Sequence, residues 1–418
     1  MTAIKAEVAV IGSGVIGLCS ALELAEAGYE VMVIANSDAG AEYAASYGNA
    51  GTVAPYGVIP VGNPGILRDL PKLLTSPDSP FAMRWTSLPG LAPWLIRFIL
   101  QSRSKPARRN ATALASLLSN AIPSWQQRAS DSNVTDMTEH KGCLYIYRNH
   151  ADLDLQNWEN RQRVKLGIKQ QSLNGAEVAE MEPVLGNKFG AGLYFPDAIH
   201  LADPAAVLQK LSDHACRLGV RFIHDTVLSL DPGRGNSGTL INGQESSYFA
   251  DYTVIAAGVW SRKFAAMAGD KVPLDTERGY HLEFETNETL LSRPVCPVDK
   301  GFYMTPMQGR LRVAGTVELG GIKAGPNPKR FTLLERGVRS IFPHLPSPAK
   351  SWLGFRPSLP DSLPVIGPSR HNNRIIYAFG HGHLGLTLGP VTANAVKNLI
   401  TDHSNSNLLA PFSAKRFD

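Results

Sequence analysis

The apolar run Val8-Ala9-Val10-Ile11 passes directly into Gly12-Ser13-Gly14-Val15-Ile16-Gly17 and a helix-compatible segment ending at Gly28. A second apolar run, Val31-Met32-Val33-Ile34, follows. Strand, glycine turn, helix and strand in that order predict a βαβ unit. Much later, Arg221 to Leu228 reads as a strand, and a polar hairpin region leads to a buried strand through Thr253-Val254-Ile255-Ala256 that ends at Ala257-Gly258. Ile375-Ile376-Tyr377-Ala378-Phe379 predicts another strand, which enters a glycine-rich turn and a helix beginning near Val391 or slightly before it. The intervening runs Cys143–Tyr147, Ala191–Phe195, His281–Glu285 and Phe302–Thr305 are alternating or apolar, as expected of a mixed sheet. Asp203-Pro204-Ala205-Ala206 reads as an N-cap with proline at the first helical position.

The N-terminal glycines have distinct physical tasks. Gly12 permits the tight turn, Gly14 lets the backbone approach a pyrophosphate, and Gly17 lets the helix pack closely on the strand, so that the helix N-terminus faces the phosphates. A dinucleotide is the implied ligand. The acidic residue that normally closes the second strand and bonds the adenosine ribose is missing or displaced, because the chain reads Ile34-Ala35-Asn36-Ser37-Asp38. Asn36, Ser37 and Asp38 are the available substitutes. No Arg or Lys stands in this turn to receive the extra phosphate of an NADP-type ligand.

Composition narrows the class. The 418 residues are 44% hydrophobic and 18% charged, enough for a sizeable core and two domains. A net charge of +5 spread along the chain gives no support to nucleic-acid binding, and the basic tract Arg103–Arg109 reads as a solvated helix end or loop. Cys19, Cys143, Cys216 and Cys296 lack metal-ligand or CxxC spacing and are expected to be buried, reduced thiols; no metal site is expected. No run of eighteen apolar residues occurs and the first strand begins within ten residues of Met1, so a cytoplasmic location is expected.

Three further segments stand out, and the first two are much more selective than the glycine turn. They are Ala45-Ser46-Tyr47-Gly48-Asn49-Ala50-Gly51 with Pro55 after it, Gly354-Phe355-Arg356-Pro357, and Gly380-His381-Gly382-His383-Leu384-Gly385-Leu386-Thr387. With the N-terminal motif and Ala92–Phe98, they make the chain similar over nearly its whole length to the FAD-dependent D-amino acid oxidase superfamily, and within it to the bacterial D-amino acid dehydrogenase small-subunit type. The resemblance implies non-covalent FAD in an extended form, since no cysteine occurs between Ser351 and Gly367, where relatives with a covalent flavin carry one. It also implies oxidation of an amino acid Cα–N bond by hydride transfer to flavin N5. The imine then hydrolyses to a 2-oxo acid and ammonia, and the electrons pass to quinone or an electron-transfer partner. A glycine or sarcosine-type oxidase, or the FAD subunit of a hydroxyproline or opine dehydrogenase, is the alternative. In flavoproteins of this plan the Val227 region lies against the adenine, and the Ala257-Gly258 turn passes near the cofactor. The turn through Gly380, Gly382, Gly385, Leu386 and Thr387 offers free N–H groups and a positive helix end to a reduced flavin.

A substrate carboxylate is best held by a guanidinium, whose planar fork matches two oxygens. Arg356 stands where relatives carry that arginine. Arg278-Gly279-Tyr280-His281 offers a second contact through Tyr280, with Arg278 equally readable as a surface strand residue and His281 as packing. Tyr56 and His383 lie beside cofactor-facing segments and are candidates to contact the amine or tune the flavin; no general base is assigned. The expected fold is α/β, with a discontinuous Rossmann-like FAD-binding domain (1–80, 203–270, 352–418) and an α+β substrate domain (81–202, 271–351) whose mixed sheet roofs the flavin. The aromatic and apolar stretch 81–100 is either packed on the substrate domain or an interfacial helix on the inner membrane.

Overall fold

The computed structural model describes residues 3–76, 78–233, 237–402 and 407–417; the outermost residues of the expected spans, 1–2 and 418, lie outside it. The strand Ile4–Ile11 is central to an eight-stranded sheet. It pairs in parallel with Val31–Ala35 on one side and Ser247–Ile255 on the other, with Val8 opposite Val31 and Val10 opposite Val254. Ile375–Phe379 extends the parallel set beyond Ser247–Ile255. These strands are apolar on both faces because helices cover both. The helix Val15–Glu26 packs against the C-terminal helix Gly385–Thr401 and the helix Pro204–Arg217.

The second sheet has nine strands and is built around Asp275–Glu285, which lies between Arg310–Leu319 and Lys350–Ser358. Its other face packs on the helix Pro328–Arg339 through Leu282, Phe284, Leu334 and Val338. A short three-stranded sheet joins Thr52–Val53 to Ile199–Leu201 and Thr138–Glu139. The Asp203 carboxylate accepts from the amides of Ala205 and Ala206, with Pro204 opening the helix, as the sequence implies.

Several expectations need correction. The run Arg221–Leu228 is two strands, Arg221–His224 parallel to Val31–Ala35 and Val227–Pro232 antiparallel to Thr239–Gly243. The break is at Asp225, whose carboxylate collects the amides of Thr226, Gln244 and Glu245 and turns the chain. The expected boundary at residue 352 falls inside Lys350–Ser358, which hydrogen-bonds to the second sheet. The helices Ser104–Leu118 and Ala121–Asp131, expected in the substrate domain, pack on the C-terminal helix of the first. Trp125 is buried there and donates its indole N–H to Leu386 O at 2.8 Å. The C-terminal helix starts at Gly385, before Val391. Cys216 is exposed, whereas the other three cysteines are buried.

Within 81–100, Phe81–Met83 is a strand paired with Val317–Leu319, and the helix Leu88–Gln101 buries Leu91 and Trp94 while Ile96 and Leu100 face outward. No helix among the described residues is long and apolar enough to cross a membrane.

Candidate active site

A cavity of about 840 Å³ runs between the two large sheets. One end is bounded by Asn36, Ser37 and Val227; the middle by Gly12, Ser13, Gly14, Val15 and Ile16; and the far end by Gly382, Gly385, Leu386, Thr387 and Arg356. This order along the wall suits an extended dinucleotide, with the glycine turn at its pyrophosphate.

The cradle is specified by close contacts. Gly12 has φ +110°, and a Cβ there would stand 2.6 Å from Ala256 O. At Gly17 it would stand 2.0 Å from Gly12 O, so this glycine sets the helix-to-turn distance and does not itself line the cavity. Gly14 caps the helix with no side chain of its own to bond the first turn, and an added Cβ would meet Ser46 Oγ at 3.6 Å. Ser46 Oγ accepts the Val15 amide at 3.1 Å, and the Asn49 side chain accepts the Gly51 amide at 2.8 Å. Ser46, Asn49 and Ala50 therefore form a shaped wall over the phosphate region. Gly51 lies behind it, held at φ +76° against Leu201 O.

At the ribose end, Asn36 and Ser37 face the cavity and Asp38 does not. Ser13 Oγ fixes this loop by donating to Ser37 O at 3.0 Å. Ala257 and Gly258 complete the wall. Gly380 lies beside a small annex and not on the main cavity; its φ of +85° makes the turn that aims Gly382 to Thr387 inward. The first turn of Gly385–Thr401 has no side-chain cap, leaving its amides for a negatively charged ring edge. The Thr387 hydroxyl accepts the Ala54 amide at 3.0 Å and ties this turn to the segment bearing Tyr56.

Arg356 is at the junction of the sheets. Its Nη1 donates to Thr316 O at 3.0 Å, and it forms no salt bridge among the described residues, which leaves the rest of the fork directed at the cavity. Gly279 makes room for it, since a Cβ there would be 2.4 Å from Nη2. Because the tip of a flexible side chain can yield, Gly279→Ala is expected to keep fold and flavin content but shift the guanidinium, lowering kcat/KM by between about ten- and a hundredfold. Steady-state kinetics on the purified variant would check this, and an unchanged kcat/KM would contradict it.

Tyr56 is buried, stacked on Phe195 with centroids 4.2 Å apart, and its hydroxyl donates to Cys143 Sγ at 3.2 Å. Burial pushes the Cys143 thiol up to about 12 and holds Tyr56 protonated. Tyr303, which sequence reasoning read only as part of a strand, joins Tyr56 at 3.4 Å and Tyr145 at 2.7 Å and lines the cavity with Arg356. Glu277 was also missed. It stands opposite Arg356 in the strand register and shares its cavity wall, with burial raising its carboxyl and Arg356 opposing that rise. Residue type gave no signal for either, because only the sheet register brings them to Arg356.

The Arg278–His281 segment requires correction. Tyr280 borders the cavity, but its ring packs on Phe331 and its hydroxyl donates to Glu318 Oε2 at 2.5 Å and accepts the Asn327 amide, so it is committed away from a substrate. Arg278 is fully buried, paired with Glu318 at 2.8 Å and bonded to the carbonyls of Gly321, Ala324 and Gly325. His281 packs between Tyr47 and Trp352.

His383 lines the cavity; burial, and then Arg356, lower it to about 4. Burial likewise lowers His200 to about 4 and His281 and His381 to about 3. In an unfolded chain these rings titrate near ~6.5, so the fold favours their neutral forms. This contribution is complete above about pH 6.5 and is lost as pH falls through about 4. Unfolding between these limits is expected to take up protons, and Tm to fall steadily; a flat Tm from pH 7 to 4 would contradict this.

A glycine-turn cradle of this length, abutting a second sheet that presents an arginine without a salt bridge among the described residues, fits a flavin-dependent oxidoreductase. The profile of the FAD dependent oxidoreductase family (DAO) matches residues 7–399, and the chain belongs to that family. It is 37% identical to a D-amino-acid oxidase of Bradyrhizobium diazoefficiens, over 98% of each chain. A D-amino acid dehydrogenase of Paramagnetospirillum magneticum is 28% identical, over 98% of this chain and 99% of that one. In fold, it is similar to glycine oxidase from Geobacillus kaustophilus, with TM-score 0.75, 21% identity and 99% of both chains covered. FAD is thus the cofactor, and the chain is an oxidoreductase.

Proposed function

We propose that this protein oxidises a D-amino acid to its imine, which water converts to a 2-oxo acid and ammonia, and passes the electrons to an acceptor other than oxygen. The observation that carries this reading is Arg356, a cavity-facing guanidinium that forms no salt bridge among the described residues, with Glu277 near enough to act on it through charge, beside the glycine turn Gly382–Thr387. D-Stereochemistry is supported by the names of the relatives at 37% and 28% identity.

When bound non-covalently along Gly12–Ile16, Ser46–Ala50 and Gly382–Thr387, FAD supplies the two-electron acceptor for the hydride leaving the substrate Cα. The protein residues position the substrate. Arg356 takes the carboxylate through its two free N–H directions, and the Tyr303 hydroxyl is the nearby neutral donor for it. Tyr56, stacked on Phe195 behind it, contributes an aromatic wall that excludes water. Neutral His383 and protonated Tyr56 are poor bases near pH 7, so the substrate ammonium is expected to lose its proton to solvent before the Cα–H bond breaks.

Reduction of oxygen is the second reading, favoured by the name of the 37% identical relative. Turnover with a D-amino acid under air and under nitrogen with a soluble quinone separates the two. The proposal expects 2-oxo acid and ammonia only when quinone is present; stoichiometric peroxide under air would establish the oxidase reading. Peripheral inner-membrane contact through 81–100 belongs to the same proposal, supported by outward-facing Trp85, Ile96 and Leu100. Full recovery in the soluble fraction at low salt would count against it.

A further inference from the structure

Beyond Arg356 the cavity opens into an apolar vault. Its walls are the helix Pro64–Thr75, the strand Phe81–Met83, the helix Leu88–Gln101 and the edge of Arg310–Leu319. Leu67, Leu70 and Leu73 line it from the first helix, and Leu95, Phe98 and Ile99 from the second. The helix Pro64–Thr75 is firmly started, with Asn63 accepting the amides of Gly65 and Ile66 and Pro64 at the first position, yet none of its residues is buried. An amphipathic stripe normally covers a core. Here the stripe faces a cavity, and the charged residues of both helices, Arg68, Asp69, Lys72 and Arg97, do not line it.

The vault is continuous with the carboxylate site. Arg356 is bonded to Thr316 O, and the next residue, Val317, is on the vault wall, paired with Phe81. One residue along a strand is about 3.3 Å, roughly the reach from a carboxylate to the first side-chain carbons. We infer that this vault is the side-chain subsite and that the substrates it selects are amino acids with large apolar side chains, branched aliphatic or aromatic, with the helix Pro64–Thr75 as its roof. The inference rests on the proposed function, since Arg356 must take the substrate carboxylate. A charged side chain finds no partner there and must be desolvated, whereas each added methylene leaves water for an apolar wall.

The holoenzyme can be titrated with straight-chain carboxylates from acetate to octanoate while the flavin spectrum is followed. Each methylene is expected to tighten Kd by about three- to fourfold. Leu70→Gln and Leu73→Gln, on a helix without buried residues, are expected to flatten that slope while leaving the acetate Kd unchanged. In turnover, D-leucine and D-phenylalanine should exceed D-glutamate and D-lysine in kcat/KM by at least about a hundredfold. A series without slope, no binding of any carboxylate, a slope unaffected by both variants, or preference for a charged D-amino acid would each overturn the inference. Flavin that no amino acid reduces, combined with a steep carboxylate series, would instead remove the proposed reaction and leave the subsite standing.

Discussion

Arg356→Ala is expected to retain its flavin and lower kcat/KM by between about thirtyfold and several thousandfold, the cost of about 2–5 kcal/mol for truncating one member of a desolvated, hydrogen-bonded charge pair. Among the described residues the guanidinium's one hydrogen bond is to the Thr316 carbonyl and Glu277 acts on it through charge alone, so its remaining donors are expected to serve the ligand. Most of the loss should appear in KM if the carboxylate contact is equal in the ground and transition states, and in kcat to the extent that it aligns the Cα–H bond. Arg356→Lys keeps the charge without the fork and should recover part of the loss. Kinetics and flavin content measured together check this; a normal kcat/KM in Arg356→Ala would remove the residue from the site.

Gly12→Ala is expected to yield little folded protein. Its Cβ would meet Ala256 O at 2.6 Å and Ala257 Cα at 3.1 Å, at a φ of +110° that an L-residue rarely adopts. Relief would require separating the parallel strands Ile4–Ile11 and Ser247–Ile255, which pair up to Ile11 and Ile255. Gly14→Ala is the informative contrast. Its Cβ has only an ordinary 3.6 Å contact within the protein, yet it projects into the cradle, so this variant should fold and lose FAD affinity. Soluble yield, Tm and bound-flavin ratio distinguish the outcomes. Flavin-replete Gly14→Ala would show that the pyrophosphate does not lie over this turn.

The cofactor half was readable because each feature is local in the chain. The turn at Gly12–Gly17, the adjacent strands and the N-cap at Asp203 depend on neighbours within a few residues, and their geometry follows from residue type. The place of Arg356 on the cavity wall was legible for a different reason, the selective segment around it. Tyr280 was misread because the Arg278–Tyr280 segment forms an internal anchor on Glu318, a residue 38 positions away whose carboxylate draws both side chains to the opposite side of the strand. Tyr303 and Glu277 were invisible since their position depends on register between strands far apart in sequence. The roof helix escaped notice because its leucines resemble an ordinary core-facing stripe until the structure shows a cavity beneath them.

The proposed reaction is tested by anaerobic mixing of the purified flavoprotein with matched D- and L-amino acids, such as the enantiomers of leucine, phenylalanine and alanine, while following the visible band of the oxidised flavin. Loss of that band with the D-enantiomers alone, together with one equivalent of 2-oxo acid and ammonia per flavin, is the expected result; loss with the L-enantiomers alone, or with neither, would contradict the proposed reaction.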